Sequence, residues 1–391
     1  MGHFAGGWFL LVFAGIFAYL SLIRLANSNG PRTPESSSGL GFFPQLEGLR
    51  GILAVSVFIH HAAITYMFLS TGVWDTPPAR LYAEAGAEGV KLFFGITGFL
   101  FWRRCLQSSG PLEIRPFFRA RLRRLLPAYY AACAALFLVV GWRSDFAFHK
   151  PVGDVLSEVM QWLCFGLLRW DFPDINGVGG TNLIVAGVFW SLRWEWIFYA
   201  ALPAMAYFAR GKRTGILLAG LALAATVFRT DPLRLFVTYF GPGMIVAHFW
   251  CEIGVRFREF FRTHNTDFWQ NMLLGLLAVG LAGGMNDFSG LINTFLFAVV
   301  LYLKPMIRIL SHISVQTLGR VSYSYYLFHG IFLTAVRDFG TNSGWHYQIP
   351  TIYWITMTSL GIGILIFCQC AFPFIEAPFI NKPQPKPPVP S

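Results

Sequence analysis

Long apolar runs alternate along this chain with short polar and basic breaks. Segments near 8–26, 47–69, 87–103, 125–142, 184–208, 214–228, 233–250, 270–284, 288–303, 320–337 and 351–372 are apolar over lengths that span or nearly span a bilayer. About 20 helical residues at 1.5 Å each cover a hydrocarbon core of ~30 Å. Only helices and closed barrels satisfy every backbone group inside lipid. The pattern therefore predicts an all-α fold, a polytopic integral membrane helix bundle of about ten or eleven transmembrane helices. Val155–Leu168 is too short for a comfortable span. It is expected to lie along the outer surface, inside an external segment Arg143–Asn182 rich in Trp, Asp and Gly.

The polar breaks orient the bundle. The first run opens on Met1-Gly2-His3-Phe4 without a basic start, and Arg24 and Arg32 lie beyond it. It reads as a span with the N-terminus outside, not as a signal peptide. Threading alternately from there puts twenty-one Lys/Arg on the cytoplasmic side and seven outside, with Lys91 and Arg193 inside spans. That asymmetry supports the same topology and a cytoplasmic C-terminus, with a cell or inner membrane as the expected location. The chain divides into an N-terminal span and linker over 1–45, a membrane domain over 46–378 and a Pro-rich cytoplasmic tail over 379–391.

Composition sharpens the class. Of 391 residues, 55% are hydrophobic and only 13% charged, about half the charged fraction of a soluble protein. The net charge of +11 sits in short breaks between spans, so it orients a membrane protein and does not imply a nucleic-acid partner. The six cysteines, Cys105, Cys133, Cys164, Cys251, Cys368 and Cys370, are scattered among apolar segments and suggest neither a disulfide framework nor a metal site. No internal repeat is visible, which argues mildly against the common transporter architectures.

Ionisable residues that enter lipid are costly and mark either paired or functional positions. On the second span Arg50 and His61 are eleven residues apart, which puts them on one helix face, about 16 Å apart along the axis. Arg50 falls at the cytoplasmic mouth and His61 near mid-bilayer. His60 turns about 100° away and is expected to pack against a neighbouring helix. Glu195 on the fifth span and His329 on the tenth reach similar depth, each about 13–15 Å from its own end. Arg193 and Glu195 do not face each other, so Glu195 needs a partner on another span.

An imidazole that meets a carboxylate in a low-dielectric cavity forms a general base and its orienter. That pair serves acyl transfer and proton-coupled transport equally well. The break between the third and fourth spans discriminates. Arg103-Arg104 and Arg115, Arg119, Arg121, Arg123 and Arg124 exceed what orientation needs, and the guanidinium fork suits phosphate. A polyphosphorylated acyl donor docked there would reach inward with its thioester; anionic lipid headgroups are the alternative partner.

Several motifs then stand in order: Leu46-Glu47-Gly48-Leu49-Arg50-Gly51 with His61, Phe93-Phe94-Gly95-Ile96-Thr97-Gly98-Phe99-Leu100, Arg121 to Arg124 before Pro127, Trp190 to Tyr199, Leu318 to His329, and Glu376-Ala377-Pro378. In these the chain resembles the acyltransferase type 3 family of integral-membrane O-acyltransferases. It departs from the common pattern at Glu47, Thr97 and Trp196, the last standing where many members carry a second acidic residue. The resemblance implies transfer of an acyl group, most often acetyl, from cytoplasmic acyl-CoA to a hydroxyl of a sugar, polysaccharide or related acceptor. Acetyl-CoA is then a donor substrate, with no permanently bound cofactor. Some members carry a further hydrolase-like domain after the membrane region; none is expected within this sequence.

The combined expectation is catalysis by His61 as general base or acyl relay, supported by Glu195. Arg50, Arg121 and Arg124 would hold the CoA phosphates. Arg193, Ser191, Tyr323 and His329 would line the substrate site, and no metal is expected. Glu376 reads as part of a helix terminator. Trp162, Trp170, Asp171 and Asp174 could hold a carbohydrate, but an interfacial aromatic belt explains the tryptophans as well. The rival class is a proton-coupled transporter or flippase using the same His and Glu. A sensor or scaffold without chemistry is the third.

Overall fold

The computed structural model describes residues 4, 6–26, 43–108, 112–208, 231–252, 297–301, 303–343 and 349–380. The expected spans at 214–228 and 270–284, most of 288–303, most of the linker and residues 381–391 of the tail lie outside the described residues. Among the described residues every regular element is helical. In chain order they are α1 (Gly6–Ala26), α2 (Pro44–Thr71), α3 (Arg80–Gln107), α4 (Ile114–Arg143), α5 (Val152–Leu163), α6 (Thr181–Ile184), α7 (Trp190–Phe208), α8 (Asp231–Glu252), α9 (Lys304–Leu310), α10 (Ile313–Arg320), α11 (Ser322–Ser343), α12 (Pro350–Ile375) and α13 (Ala377–Ile380).

The all-α membrane bundle is the fold observed. α1, α2, α4 and α12 are long and apolar enough to cross a bilayer. α1, α4 and α12 keep large apolar side chains exposed, such as Leu10 at 67%, Leu138 at 66% and Phe374 at 81%, which suits lipid as the surrounding solvent. α5 is too short to span at 1.5 Å per residue. Val152, Leu156 and Met160 on its exposed face and Trp162 on its buried face give the two-sided character expected of the run placed along the surface. Its position is held by Lys150, which donates to Glu158 at 2.5 Å, while Glu158 also accepts from the Asn176 backbone at 2.8 Å.

α2 is the central element and packs against α3, α9, α10 and α11. Its opening glycines explain how it gets so close. A Cβ on Gly51 would collide with the Gly319 backbone on α10, and one on Gly48 with the Leu310 carbonyl. Small residues at such crossings let membrane helices approach backbone to backbone. The Leu46–Gly51 motif thus first fixes a helix crossing, and this sets the direction in which Arg50 and His61 project.

Two elements differ in extent from the expectation. The arginine-rich break is not a loop: α4 starts at Ile114, so Arg115, Arg119, Arg121, Arg123 and Arg124 occupy its first turns. A charged stretch reads as a break only if lipid is its sole environment, whereas a helix emerging from the bilayer carries charge freely. The fifth span begins at Trp190, because Ala186 and Gly187 adopt left-handed conformations (φ 51° and 70°) that end the preceding turn.

Candidate active site

α2 supplies His61, α11 supplies His329, and the two rings meet. His329 Nε2 lies 3.1 Å from His61 Nδ1, with ring centroids 5.1 Å apart. Their surroundings fix the protons. His329 Nδ1 is 2.6 Å from the Tyr326 carbonyl, and His61 Nδ1 is 3.0 Å from the Val57 carbonyl. A carbonyl only accepts, so both Nδ1 atoms carry hydrogen in the neutral rings. His329 Nε2 then holds a lone pair that shares the single His61 Nδ1–H with the Val57 carbonyl, and His61 Nε2 carries that ring's lone pair. The i−4 and i−3 carbonyls that set these tautomers come from the helices themselves, so the register that positions each ring also orients it.

His61 lines a chamber of about 330 Å³ with His60, Thr76, Lys91, Trp190, Tyr239 and Tyr326 among its walls. Helix α3 makes the room: Ala83, Gly86, Ala87 and Val90 face the chamber, and a Cβ on Gly86 would strike the His60 ring. His60 packs against α3 as expected, its Nδ1 2.7 Å from the Tyr82 carbonyl. Trp74, from the connection between α2 and α3, stacks on His61 at 6.5 Å. Behind it the buried Arg337 guanidinium lies 5.6 Å from the Trp74 ring.

Glu195 occupies a second, narrower chamber of about 50 Å³ with Arg50, Phe93, Phe94, Thr97, Ser191, Ser322, Tyr323 and Tyr326. Its Oε1 accepts from the Tyr199 hydroxyl one helical turn on, so the hydrogen bond it makes is to Tyr199 and not to His61. Val90 and Tyr326 line both chambers. Tyr326 is pinned there, its hydroxyl 2.9 Å from Ser191 Oγ and 3.1 Å from the Val188 carbonyl. His61 and Glu195 thus face adjoining chambers separated by one tyrosine and one valine.

The other expected residues separate into two groups. Tyr323 lines the narrow chamber and donates to the Leu125 carbonyl at 3.1 Å; Ser191 lines the same chamber and meets Tyr326, which lines both. Arg121 stacks on Phe101 at 4.8 Å, its Nε buried with no hydrogen-bond partner among the described residues. Arg124 pairs with Glu376 at 3.7 Å and lies within Coulomb range of Arg50, Arg121 and Glu47. These arginines form one cluster, of which Arg50 alone is among the residues lining either chamber. Arg193 turns elsewhere: it donates to the Trp170 carbonyl at 2.7 Å and lies over the Trp170 and Phe172 rings. In the same region Trp162 is fully buried and donates to the Pro173 carbonyl at 2.9 Å. Asp174 accepts from the Thr181 backbone at 2.9 Å. Both hold the surface segment together; Trp170 remains exposed.

Sequence reasoning passed over three contributors. Glu376, read as a terminator, is fully buried and accepts from Ser324 at 2.5 Å, tying α11 and α4 to the end of α12. Tyr199 was legible as the i+4 neighbour of Glu195, and Tyr326 as the i−3 neighbour of His329.

The chain belongs to the acyltransferase type 3 family. The family model, described as an acyltransferase domain, matches residues 43–372. Among curated relatives, a protein of Staphylococcus aureus named as a proposed O-acetyltransferase is 23% identical over 390 aligned positions, covering 86% of this chain and 57% of its own length. The exopolysaccharide production protein ExoZ of Rhizobium meliloti is 28% identical, covering 76% of this chain and 90% of its own. A proposed peptidoglycan O-acetyltransferase of Bacillus subtilis is 24% identical, over 86% of this chain and 55% of its own length. This member of the family therefore spans little more than half the length of the staphylococcal and Bacillus relatives it matches. No solved structure gives a significant match.

Proposed function

We propose that this protein is a membrane O-acyltransferase that moves an acyl group, acetyl in the first instance, from acyl-CoA to a hydroxyl of a saccharide acceptor. The observation that carries the reading is the contact between His61 and His329, which leaves one unprotonated imidazole nitrogen on a ring that lines the larger chamber. The family, and the names of the Staphylococcus, Rhizobium and Bacillus relatives, support the reaction class and the saccharide.

In this reading the donor approaches from the Arg50, Arg121 and Arg124 end, taken as the cytoplasmic side from the charge asymmetry. At about 50 Å³ the narrow chamber is far below the ~300 Å³ of small-molecule pockets. It admits the thioester end of the donor, and the phosphates stay among the arginines outside it. The acceptor hydroxyl enters the wide chamber. His61 Nε2 takes its proton as the oxygen bonds to the thioester carbon, and the imidazolium is stabilised through Nδ1–H by His329 Nε2. Collapse of the tetrahedral intermediate breaks the carbon–sulfur bond. The thiolate then recovers the proton from His61, leaving ester, CoA and neutral enzyme. Ser191 and the Tyr326 hydroxyl spend their hydrogens on each other and on the Val188 carbonyl, so they hold the wall between the chambers in shape.

The test uses purified protein in nanodiscs with radiolabelled acetyl-CoA. Acceptor-dependent CoA release that falls about 10³-fold in His61→Ala is the expected result, within the usual contribution of a general base. Intact acetyl-CoA in the presence of wild-type protein and saccharide would instead assign the cavity to transport.

A further inference from the structure

Beside His61, the wide chamber holds a charge arrangement that the proposed proton transfer does not use. Lys91 lines the chamber, and its Nζ donates to Glu88 Oε1 at 2.6 Å, one helical turn back on α3. The side chains are 24% and 12% exposed respectively, and Glu88 Oε2 is buried with no hydrogen-bond partner among the described residues. Opposite charges held largely away from solvent on a membrane helix gain little over apolar packing, which makes the pair a candidate for a binding role.

The surroundings show what the pair is suited to hold. Among the described residues, one of three ammonium donors is spent, on Glu88, which leaves two for a ligand. The pair is formally neutral, so it offers directional hydrogen bonds without attracting an anion. Trp190, Tyr239 and Tyr326 supply aromatic walls to the same chamber, while Ala83, Gly86 and Ala87 keep the α3 side open. Aromatic faces combined with fixed donors suit the apolar face and hydroxyl edge of a sugar ring.

Resting on the proposed acyl transfer, we infer that Lys91, held by Glu88, binds the acceptor: an uncharged, hydroxyl-bearing sugar unit whose neighbouring hydroxyl is thereby presented to His61. Lys91 is a binding residue in this arrangement and Glu88 a positioning residue that keeps the ammonium aimed into the chamber.

Kinetics in nanodiscs with acetyl-CoA and alkali-de-esterified cell-surface polysaccharide from the source organism test this. Lys91→Met should raise the acceptor KM about tenfold or more, the cost of a lost charge-assisted hydrogen bond, with the donor KM within about twofold. Glu88→Gln should raise the acceptor KM by a smaller factor, and Lys91→Arg should restore part of the loss. Because Lys91→Met leaves a buried carboxylate unpaired, the double variant Glu88→Gln, Lys91→Met is measured in parallel, since losing both charges is easier on the fold. An acceptor KM unchanged in the double variant, or a donor KM that rises in step, overturns the assignment. Absence of transfer by the wild-type protein would count against the acyltransferase reading itself, and is seen before any variant is made.

Discussion

The two chambers along α2 are built from the same materials and are suited to opposite tasks. The narrow one gathers Arg50, Glu195, Ser322 and Tyr323, with the Arg121, Arg124 and Glu376 cluster behind Arg50. The wide one gathers His60, His61 and Lys91 under Trp74 and between aromatic walls. Where the first has fixed charge at its mouth and little volume, the second has volume and an imidazole whose proton position is set by carbonyls. The difference shows how one helix bundle can keep a phosphate-bearing donor and a hydroxyl-bearing acceptor apart and still bring their reacting ends to a shared wall. That wall is Val90 and Tyr326.

The division can be broken at graded cost. The largest effect after loss of His61 is expected for His329→Ala, which removes an acceptor for His61 Nδ1–H. Acyl transfer should fall about 10²-fold in kcat, with His329→Gln retaining more because its amide oxygen can accept the same bond. An effect on donor KM alone would move His329 out of the proton pathway. Next comes the wall. Tyr326→Phe deletes the bonds to Ser191 and Val188, and transfer should drop by about threefold to tenfold, the worth of one or two neutral hydrogen bonds. If the rate is unchanged, the hydroxyl plays no part at the junction. The smallest effect is expected for Arg193→Gln. Its guanidinium is held by the Trp170 carbonyl and rings, away from the residues lining either chamber, so the acceptor KM should change by less than about threefold. A larger rise would restore the substrate-binding role that its place in the motif suggests.

Much of this architecture was legible along the chain, and the limits are physical. The eleven-residue spacing of Arg50 and His61 placed them on one face of α2, and in the structure that face supplies one residue to each chamber. Helix rise alone put His61, Glu195 and His329 at similar depth. What rise and rotation do not fix is which of several polar groups at one depth will touch, because that depends on how neighbouring helices are turned and how closely they cross. Here the packing of α11 on α2 joins His61 to His329, while Glu195 turns to its own i+4 tyrosine. Long-range pairs were invisible for the same reason: nothing near Arg124 announces Glu376, which reaches it only after α12 has crossed the bundle. Lys91 and Glu88 illustrate the opposite case, since their i, i+3 spacing is plain in the sequence but their meaning emerges only beside the His61 chamber.

The central claim is the assignment of the donor to the arginine end and the acceptor to the His61 end. The most direct measurement is a structure of the protein in nanodiscs with a non-hydrolysable thioether analogue of acetyl-CoA. Analogue phosphates should lie against Arg50, Arg121 and Arg124, with an acyl end that enters the Glu195 chamber and points at Tyr326. Phosphates bound instead near Trp74 and Arg337, with the acyl end approaching His61 from that side, would contradict it.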